Sequence, residues 1–341
     1  MSISLNRQIA PAMCAATLAA VFAGGFAQTA QAADKLVVSL DTPPTHYRTV
    51  VMQDFLAELE KASGGSMTYE LFHSSQLYGV GDVARAVARG DVGLSVVASP
   101  FLSSVVADIG VLDLPVMNGL TADQRDAMID GELGQTLSDE LSDTLGVVVP
   151  GDWWQIGKIV YFASKPLTTF DEFKGQQIRI PGAPAVVARV EAYGATGVPM
   201  PFTDTPLALQ QGVITAVLAT PDSIISSGLN DAGVKYAFWD YGIIGHSAPL
   251  VSKRYWDSLT EDEQTLFTTT WNTFTERQRM EVAENETADR DALAAVGVTW
   301  TDASEADLEA ANAALMAIQD DLAKELGVSD EILAIAEAAR Q

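Results

Sequence analysis

The chain has 341 residues, of which 48% are hydrophobic and 19% are charged. This composition is typical of a globular protein, and the length exceeds what one hydrophobic core usually serves. Its 45 Asp and Glu outnumber its 20 Lys and Arg, giving a formal net charge of −25. Such a charge repels phosphate, so it excludes a nucleic-acid-binding function in practice and disfavours electrostatic attachment to anionic membranes.

The first 32 residues have the pattern of a secretory signal peptide. Arg7 supplies a basic start, residues 9–26 form a weakly apolar run, and the small residues Ala30 and Ala32 fit a signal-peptidase site. We expect cleavage after Ala32 and a periplasmic mature protein. An uncleaved N-terminal membrane anchor is the alternative, but the run is a poor membrane span.

Cysteine usage agrees with export of a soluble protein. Cys14 is the only cysteine of the chain and lies inside the predicted signal peptide, so the mature protein is expected to have neither a disulfide nor thiol chemistry. No later stretch reaches the roughly 18 apolar residues of a spanning helix. We therefore expect a mature protein that is not inserted in the membrane.

From residue 35 onward, strand and helix patterns alternate. Segments rich in β-branched and other apolar residues predict strands over residues 35–40, 66–72 and 92–98. Apolar residues at helical spacing, followed by glycines, predict helices that include residues 51–59 and 83–88. Strand–helix–strand units of this length predict a parallel sheet with helices on its faces.

A second group of strands and helices begins near residue 146. Strands are predicted over residues 146–150, 159–163, 177–181 and 213–219, with a helix over 185–193 that Gly194 ends. The sequence therefore predicts two α/β lobes.

The last third of the chain is predicted to be mostly helical. Thr260 and Glu263 fit a capping box, and no helix breaker follows before about residue 295. At 1.5 Å per residue this helix would be about 50 Å long, enough to tie two lobes together. A short strand and two helices are predicted after it, over residues 298–300, 305–326 and 330–339.

The sequence contains none of the common motifs of hydrolases, phosphate-loop proteins or zinc proteases. Its three histidines, His46, His73 and His246, do not have metal-ligand spacing and are expected to be packing or surface residues. We therefore expect neither an enzyme nor a metal or other cofactor.

Three sequence blocks occur in an order typical of one family. They are His73-Ser74-Ser75-Gln76-Leu77, the block from Asp171 to Pro181 with Gln177-Ile178-Arg179-Ile180-Pro181 at its end, and the block from Gly194 to Val213. In this order and spacing they resemble the DctP-type substrate-binding proteins of TRAP transporters. The resemblance covers nearly all of residues 35–300.

The resemblance implies an α/β, two-lobed periplasmic-binding-protein-like fold of type II, with crossing strands and a long helix spanning both lobes. By analogy, the first lobe comprises residues 33–156 and 245–284, and the second comprises residues 157–244 and 285–341. The implied function is that of an extracytoplasmic receptor, expected to be a monomer. It captures a small organic acid in the cleft between the lobes and delivers it to the TRAP permease subunits in the membrane.

Arg179 is the residue that the resemblance assigns to the carboxylate of the ligand. A guanidinium offers two parallel donors to two oxygens, and Ile178 and Ile180 are expected to face the core on the other side of the strand. An ordinary surface arginine is the alternative. Many relatives have a second arginine in the preceding strand, where this chain has Ile159 or Val160, with Lys158 as a substitute if the register shifts.

The remaining predicted ligand contacts are mostly aromatic. They are Phe202, Trp153, Thr220, His46, Phe101 and Trp239. For each single aromatic residue, core packing is the alternative, because aromatic side chains dominate protein cores. If the segment is extended, Trp153 and Trp154 point to opposite faces, so at most one of them meets the ligand.

Other functions remain open from the residues alone. An exported α/β enzyme acting on a small carboxylate, a receptor that feeds a sensor kinase and an ABC-type receptor are the alternatives. The arginine block and the long helix disfavour the ABC type.

Overall fold

The computed structural model describes residues 34–340, so the predicted signal peptide and its cleavage site lie outside the described residues. The strands are β1 Leu36–Ser39, β2 Tyr69–Phe72, β3 Leu94–Ala98, β4 Val147–Val148, β5 Trp154–Ala163, β6 Gln177–Ile180, β7 Thr196–Pro199, β8 Ala216–Ala219, β9 Tyr236–Ser252 and β10 Thr299–Asp302. The α-helices are α1 Tyr47–Ala62, α2 Val80–Arg89, α3 Ser99–Leu102, α4 Ala122–Asp130, α5 Glu132–Leu145, α6 Pro184–Ala192, α7 Thr205–Gln210, α8 Pro221–Ser226, α9 Lys253–Trp256, α10 Glu261–Ala295, α11 Glu305–Met316, α12 Gln319–Leu326 and α13 Asp330–Ala339. Four 3-10 helices lie between them, Ala107–Asp113, Pro115–Met117, Phe170–Phe173 and Phe202–Asp204.

The strands of residues 34–340 form one mixed sheet in the order β2-β1-β3-β9-β5-β8-β6-β7, with β4 and β10 paired to β9. β1 runs parallel to β2 and β3, and β6 runs parallel to β7 and β8, as the strand–helix–strand pattern predicts. Between these groups lie β5 and β9, which are antiparallel to each other; β9 is also antiparallel to β3 and β4 but parallel to β10, and β5 is antiparallel to β8. The fold is therefore α/β with two lobes, one built on each parallel group.

Each lobe has a hydrophobic cluster on both faces of its part of the sheet. Alternate residues of β3 enter the two clusters of the first lobe, and alternate residues of β5 enter the two clusters of the second. Trp153 and Trp154 belong to different clusters of the first lobe, so they point to opposite faces as an extended chain requires. Burial on both faces fixes the register of the central strands.

The strand β9 is the longest of the sheet, with 17 residues, and the sequence pattern did not predict it. It pairs with β3 and β4 in the first lobe and with β5 and β10 in the second. Most of its residues are buried, so the alternation that marks a half-exposed strand is absent, and its glycines and Pro249 suggest turns instead. The long strand is possible because residues on both sides supply partners.

The long helix α10 follows the prediction closely. Thr260 and Glu263 form the capping box, and the helix continues for 35 residues. Its first part packs on α1 and on β5, where Trp271 stacks on Trp154 with ring centroids 4.9 Å apart, and its later part contacts α8 and β10. The helix therefore spans both lobes.

A glycine pair marks the region where β5 and β9 cross from one lobe to the other. Gly157 lies opposite Gly245, next to a break in the register of the two strands. Gly157 has φ +97°, and a Cβ atom there would lie 2.9 Å from a methyl group of Val282 on α10. Both the left-handed backbone and the close helix require glycine at this position.

The C-terminal helices differ from the prediction in two ways. The predicted helix 305–326 is interrupted after Met316, so α11 and α12 are separate helices. Residues of α12 and α13, among them Leu322 and Ile332, belong to the first lobe's core cluster together with residues of α5. This packing favours placing these two helices with the first lobe, although the resemblance implied the second lobe for residues 285–341.

Candidate functional site

A cavity of about 430 Å³ lies between the two lobes. Its polar and aromatic wall comes largely from the segments that follow strand ends. They are Asp41, Thr42 and His46 after β1, Ser99 and Phe101 after β3, Pro181 after β6, and Thr220 and Ser223 after β8. The carboxyl ends of parallel strands are the usual place for ligands in α/β sheets, so the topology places a binding cavity here.

Arg179 lies on β6 and lines this cavity. Its neighbours in the strand, Ile178 and Ile180, enter the core on the opposite face, as predicted. The Arg179 Nε donates to the Met200 carbonyl at 3.0 Å, and Nη1 donates to the Leu218 carbonyl at 3.4 Å. These two bonds hold the guanidinium in a fixed orientation at the cavity wall.

The charge of Arg179 has no partner in contact. Its side chain forms no ion pair within residues 34–340, and the residue is 5% exposed. Burial lowers the pKa of Arg179 to about 10, and the charge of Asp41 opposes this only in part. Burying a cation without a contacting anion raises the free energy of the folded protein, and an anionic group in the cavity would lower it.

A second arginine lines the cavity and was missed by the sequence analysis. Arg48 is the second residue of α1; its Nη2 lies 3.7 Å from Asp41 Oδ1, and its buried Nε has no partner within the described residues. The signal available in the sequence was its position just after His46 and Tyr47, at the strand end where the resemblance implies contacts. The family resemblance instead implied a second cation in the strand before the Arg179 block.

His46 and Thr220 line the cavity, but helix capping uses their polar atoms. His46 Nδ1 accepts the backbone N–H of Arg48 at 3.2 Å, and Thr220 Oγ1 accepts the N–H of Ser223 at 3.2 Å. His46 Nε2 lies 3.2 Å from Ser223 Oγ and 3.2 Å from Asp222 Oδ2, which joins the two lobes beside the cavity. Burial lowers the pKa of His46 well below its usual value, with Arg48 adding to the effect, so the ring is neutral.

Aromatic and aliphatic side chains form the rest of the wall. Phe202 lies over Arg179, with its ring centroid 5.2 Å from the guanidinium carbon, and Phe101 faces the cavity from the other lobe. Aliphatic residues such as Val186, Leu218 and Ile243 complete it. Such a wall suits the carbon skeleton of a small ligand.

A family model matches residues 39–325 of the chain, and its description is "bacterial extracellular solute-binding protein, family 7", DctP. The chain belongs to this family. Members of the DctP family are binding proteins, and the match covers the described cavity and both lobes.

Similar proteins support the assignment to the DctP family. The C4-dicarboxylate-binding periplasmic protein DctP of Rhodobacter capsulatus is 28% identical over 211 residues, which are 60% of this chain and 61% of that protein. A TRAP periplasmic solute-binding protein from Desulfovibrio salexigens, solved with bound orotic acid, is 20% identical with a TM-score of 0.84, over 90% of this chain and 98% of that one. A similar protein from Chromohalobacter salexigens, solved with bound D-glucuronate, is 19% identical with a TM-score of 0.83, over 89% of this chain and all of that one.

Three predicted contacts of this DctP-family protein do not line the cavity. Trp153 is buried in the first lobe, where its Nε1 donates to Ser138 Oγ at 2.9 Å. Trp239 stacks on Tyr241 with centroids 3.7 Å apart. Lys158 lies over the Trp239 ring and pairs with Glu286 of α10 at 2.6 Å.

These three side chains therefore serve packing and an ion pair with α10, whereas Arg179, Phe202, Thr220, His46 and Phe101 line the cavity. Within residues 34–340, no group of three or more His, Cys, Asp or Glu side chains is placed to hold a metal ion. In the same range, no helix combines the length and hydropathy needed to cross a membrane.

Proposed function

We propose that this protein is a periplasmic receptor that binds a small organic acid between its lobes and delivers it to the membrane permease of a TRAP transporter. The observation that carries the proposal is Arg179, a buried guanidinium in the cavity wall without a contacting anion. The proteins similar to this one support the ligand class, because C4-dicarboxylates, orotic acid and glucuronate all carry a carboxylate. Export after removal of residues 1–32 and a monomeric state belong to the same proposal.

Arg179 is the proposed anchor of the ligand's carboxylate. A guanidinium has five N–H donors, and the carbonyls of Met200 and Leu218 use two of them. The remaining donors can pair with two carboxylate oxygens in the cavity, and charge-assisted hydrogen bonds of this kind are stronger than neutral ones. Phe202 and Phe101 would then cover the carbon skeleton, and Arg48 would add positive potential at the same end.

An enzymatic function is the alternative that the cavity itself raises, because Ser223, His46 and Asp222 lie together. Their arrangement does not suit nucleophilic catalysis. A histidine that activates serine must accept the hydroxyl proton on one ring nitrogen while an acid holds the other. Here His46 Nδ1 accepts the N–H of Arg48, so the neutral ring carries its proton on Nε2, the nitrogen that faces both Ser223 and Asp222. The geometry favours binding over hydrolysis.

A thermal-shift screen of the mature protein against an organic-acid library tests the proposal. A ligand at 100 times its dissociation constant adds about 2.7 kcal/mol to the unfolding free energy, which raises Tm by several degrees. We also expect each ligand found in the screen to remain chemically unchanged on incubation with the protein. Ligand binding should reduce the radius of gyration of the protein, as the lobes close at the glycine pair. The ligand-bound receptor should in turn bind the detergent-solubilised permease.

Stabilisation only by solutes without a carboxylate would contradict the proposed ligand class. Turnover of a hit would favour the enzyme, and a ligand-dependent complex with a sensor kinase and not with the permease would favour the signalling receptor.

A further inference from the structure

His46 connects the two lobes through its ring nitrogens. It is the N-cap of α1, which follows β1 of the first lobe, and it is 1% exposed. Its Nδ1 accepts the backbone N–H of Arg48 at 3.2 Å, so the neutral ring carries its proton on Nε2. That nitrogen lies 3.2 Å from Ser223 Oγ on α8, which follows β8 of the second lobe. The ring N–H of one lobe therefore donates to a hydroxyl of the other.

The acceptor belongs to the first turn of α8 and is held there by its own helix. Ser223 donates its backbone N–H to Thr220 Oγ1 at 3.2 Å, and the two hydroxyl oxygens lie 2.8 Å apart. Asp222 Oδ2 also lies 3.2 Å from His46 Nε2, although it forms no hydrogen bond within residues 34–340. The position of Ser223 Oγ is thus set within the second lobe, independently of His46.

The contact lies between the ligand cavity and the crossing strands. His46, Thr220 and Ser223 line the cavity. On the other side, Thr220 and Asp222 line a separate space of about 20 Å³ together with Gly157, the glycine of β5 at the crossing. A hydrogen bond at this place joins the lobes close to the point about which they are proposed to close.

A neighbouring contact of α1 shows which bonds closure would change. The Tyr47 hydroxyl donates to the Ile156 carbonyl at 2.7 Å, and Ile156 precedes Gly157, so both partners move with the first lobe. Ser223 lies beyond the crossing, so a rotation of the lobes about the glycine pair moves it relative to His46. Because a hydrogen bond is lost beyond about 3.5 Å, a displacement on the order of 1 Å breaks the interlobe contact.

We propose that the hydrogen bond from His46 to Ser223 is a latch between the lobes, which favours the closed form and so raises the affinity for every ligand of the cavity. The proposal rests on the proposed function, because it concerns closure around the same cavity. It makes His46 and Ser223 positioning residues and not ligand contacts. A neutral hydrogen bond corresponds to a change of about 2- to 12-fold in an equilibrium constant, and apparent affinity is proportional to the fraction of the protein that is competent to bind.

A double-mutant cycle tests the latch. The variants are His46→Asn, Ser223→Ala and the two combined, measured by calorimetry and stopped-flow binding with two chemically different solutes from the thermal-shift screen. An asparagine N-cap still accepts the N–H of Arg48 but is too short to reach Ser223. Ser223→Ala keeps the backbone N–H that Thr220 caps.

Each single variant should lose about 2- to 12-fold in affinity, by the same factor for both solutes. The double variant should lose no more than the larger single loss, since both substitutions remove one bond. Most of the loss should appear in the dissociation rate constant, because the latch forms only when the lobes close.

Ser226→Ala is the matched control, the same substitution on the same helix. Ser226 does not line the cavity, and its Oγ has no hydrogen-bond partner within residues 34–340. Both rate constants should equal those of wild type. If His46→Asn does not fold, the comparison of Ser223→Ala with this control decides, again by whether the loss is the same for both solutes.

Three outcomes overturn the latch. Losses that differ between the two solutes, or that add up in the double variant, would make His46 and Ser223 direct ligand contacts. A lower unfolding free energy with wild-type affinity would make their contact only structural.

The proposed function fails separately. It is contradicted if no carboxylate binds, or if carboxylate binding is unchanged in Arg179→Met, and the cycle is then measured with the other solutes of the screen. Binding of no solute at all would overturn both.

Discussion

Arg179 and Arg189 show how differently the same side chain is used at similar burial. Arg189, on α6, is 3% exposed, pairs with Asp240 and also contacts Tyr193 and Asn118. Burial by itself lowers the pKa of Arg189, but Tyr193 and Asp240 outweigh it, and the pKa is raised. Arg179, at 5% exposed, has carbonyl partners but no contacting anion, and its pKa is lowered to about 10.

The two arginines differ in whether the folded chain supplies a carboxylate in contact with the buried charge. Around Arg189 the chain supplies the counter-charge from β9, 51 residues away along the sequence, and the pair joins α6 to the central strand. Around Arg179 the corresponding space is the cavity. Removing one partner of a pair like Arg189–Asp240 leaves a buried charge uncompensated, whereas Arg179 already lacks a contacting anion within residues 34–340.

The largest effect on stability is expected from Arg189→Met. This substitution leaves the Asp240 carboxylate buried, with only the Gly242 N–H and the Tyr193 hydroxyl as donors. Breaking a buried pair from one side costs about 3 to 5 kcal/mol of unfolding free energy, to be measured by chemical denaturation. The double variant Arg189→Met with Asp240→Leu should recover part of the loss. A loss below about 1 kcal/mol would contradict the comparison.

The largest effect on binding is expected from Arg179→Met. Removing one partner of a buried charge pair costs about 2 to 5 kcal/mol, which corresponds to a roughly 30- to 4,000-fold loss of affinity for a carboxylate found in the screen. Arg179→Lys should also weaken binding, because an ammonium group lacks the two-pronged geometry. Unfolding free energy should change by no more than about 1.5 kcal/mol, because the loss of two charge-assisted hydrogen bonds to carbonyls is offset by removal of the cost of burying the cation.

Lys158→Met is the matched control for Arg179→Met. Lys158 is also a cation on a strand of the sheet, but it pairs with Glu286 and does not line the cavity. Its affinity for the same ligand should stay within about threefold of wild type. A larger loss in Lys158→Met than in Arg179→Met would show that the carboxylate anchor lies on β5.

A smaller effect is expected from Asp113, a buried anion without an ion-pair partner within residues 34–340, on the pH dependence of the unfolding free energy of the ligand-free protein. Its native pKa of about 6 lies above the value of about 3.9 for an unfolded chain, so the folded protein takes up the proton first as the pH falls. The contribution of this group to the unfolding free energy therefore rises from pH 7 to pH 5, by about 1 kcal/mol.

The measurement is the difference in unfolding free energy between wild type and Asp113→Asn at the two pH values. Asp171→Asn, with a side chain 89% exposed, is the control and should leave the pH dependence of wild type unchanged. An Asp113→Asn variant with the same pH dependence as wild type would show that Asp113 has a solvated carboxyl.

The local elements of this protein follow from its sequence. The strand β1, the helix α1, the capping box of α10 and the alternation of Ile178, Arg179 and Ile180 were all predicted, because each depends on side chains a few residues apart. The family resemblance assigned Arg179 to the ligand, and the period-two strand added that its side chain points away from the core that Ile178 and Ile180 enter.

Other features required the tertiary structure. The strand β9 is continuous only because both lobes supply neighbouring strands. Arg48 and Asp113 reach the cavity from different elements, and no spacing in the sequence relates either of them to Arg179. Trp153 packs away from the cavity, and α13 packs on the first lobe. Both belong to the same hydrophobic cluster, which residues distant in the sequence form together.

The sequence by itself therefore determined most strands, the helices α1, α2, α6, α10 and α13, and one charged residue of the cavity wall. Whether a buried charge is paired was decided only by the fold, because its partner can come from any distance along the chain. Asp240 pairs with Arg189 across 51 residues and Ser223 contacts His46 across 177, whereas no carboxylate between residues 34 and 340 lies in ion-pair contact with Arg179, and the charge of Asp41 acts on it only from a distance. Contacts of that separation depend on strand order, which local patterns do not specify.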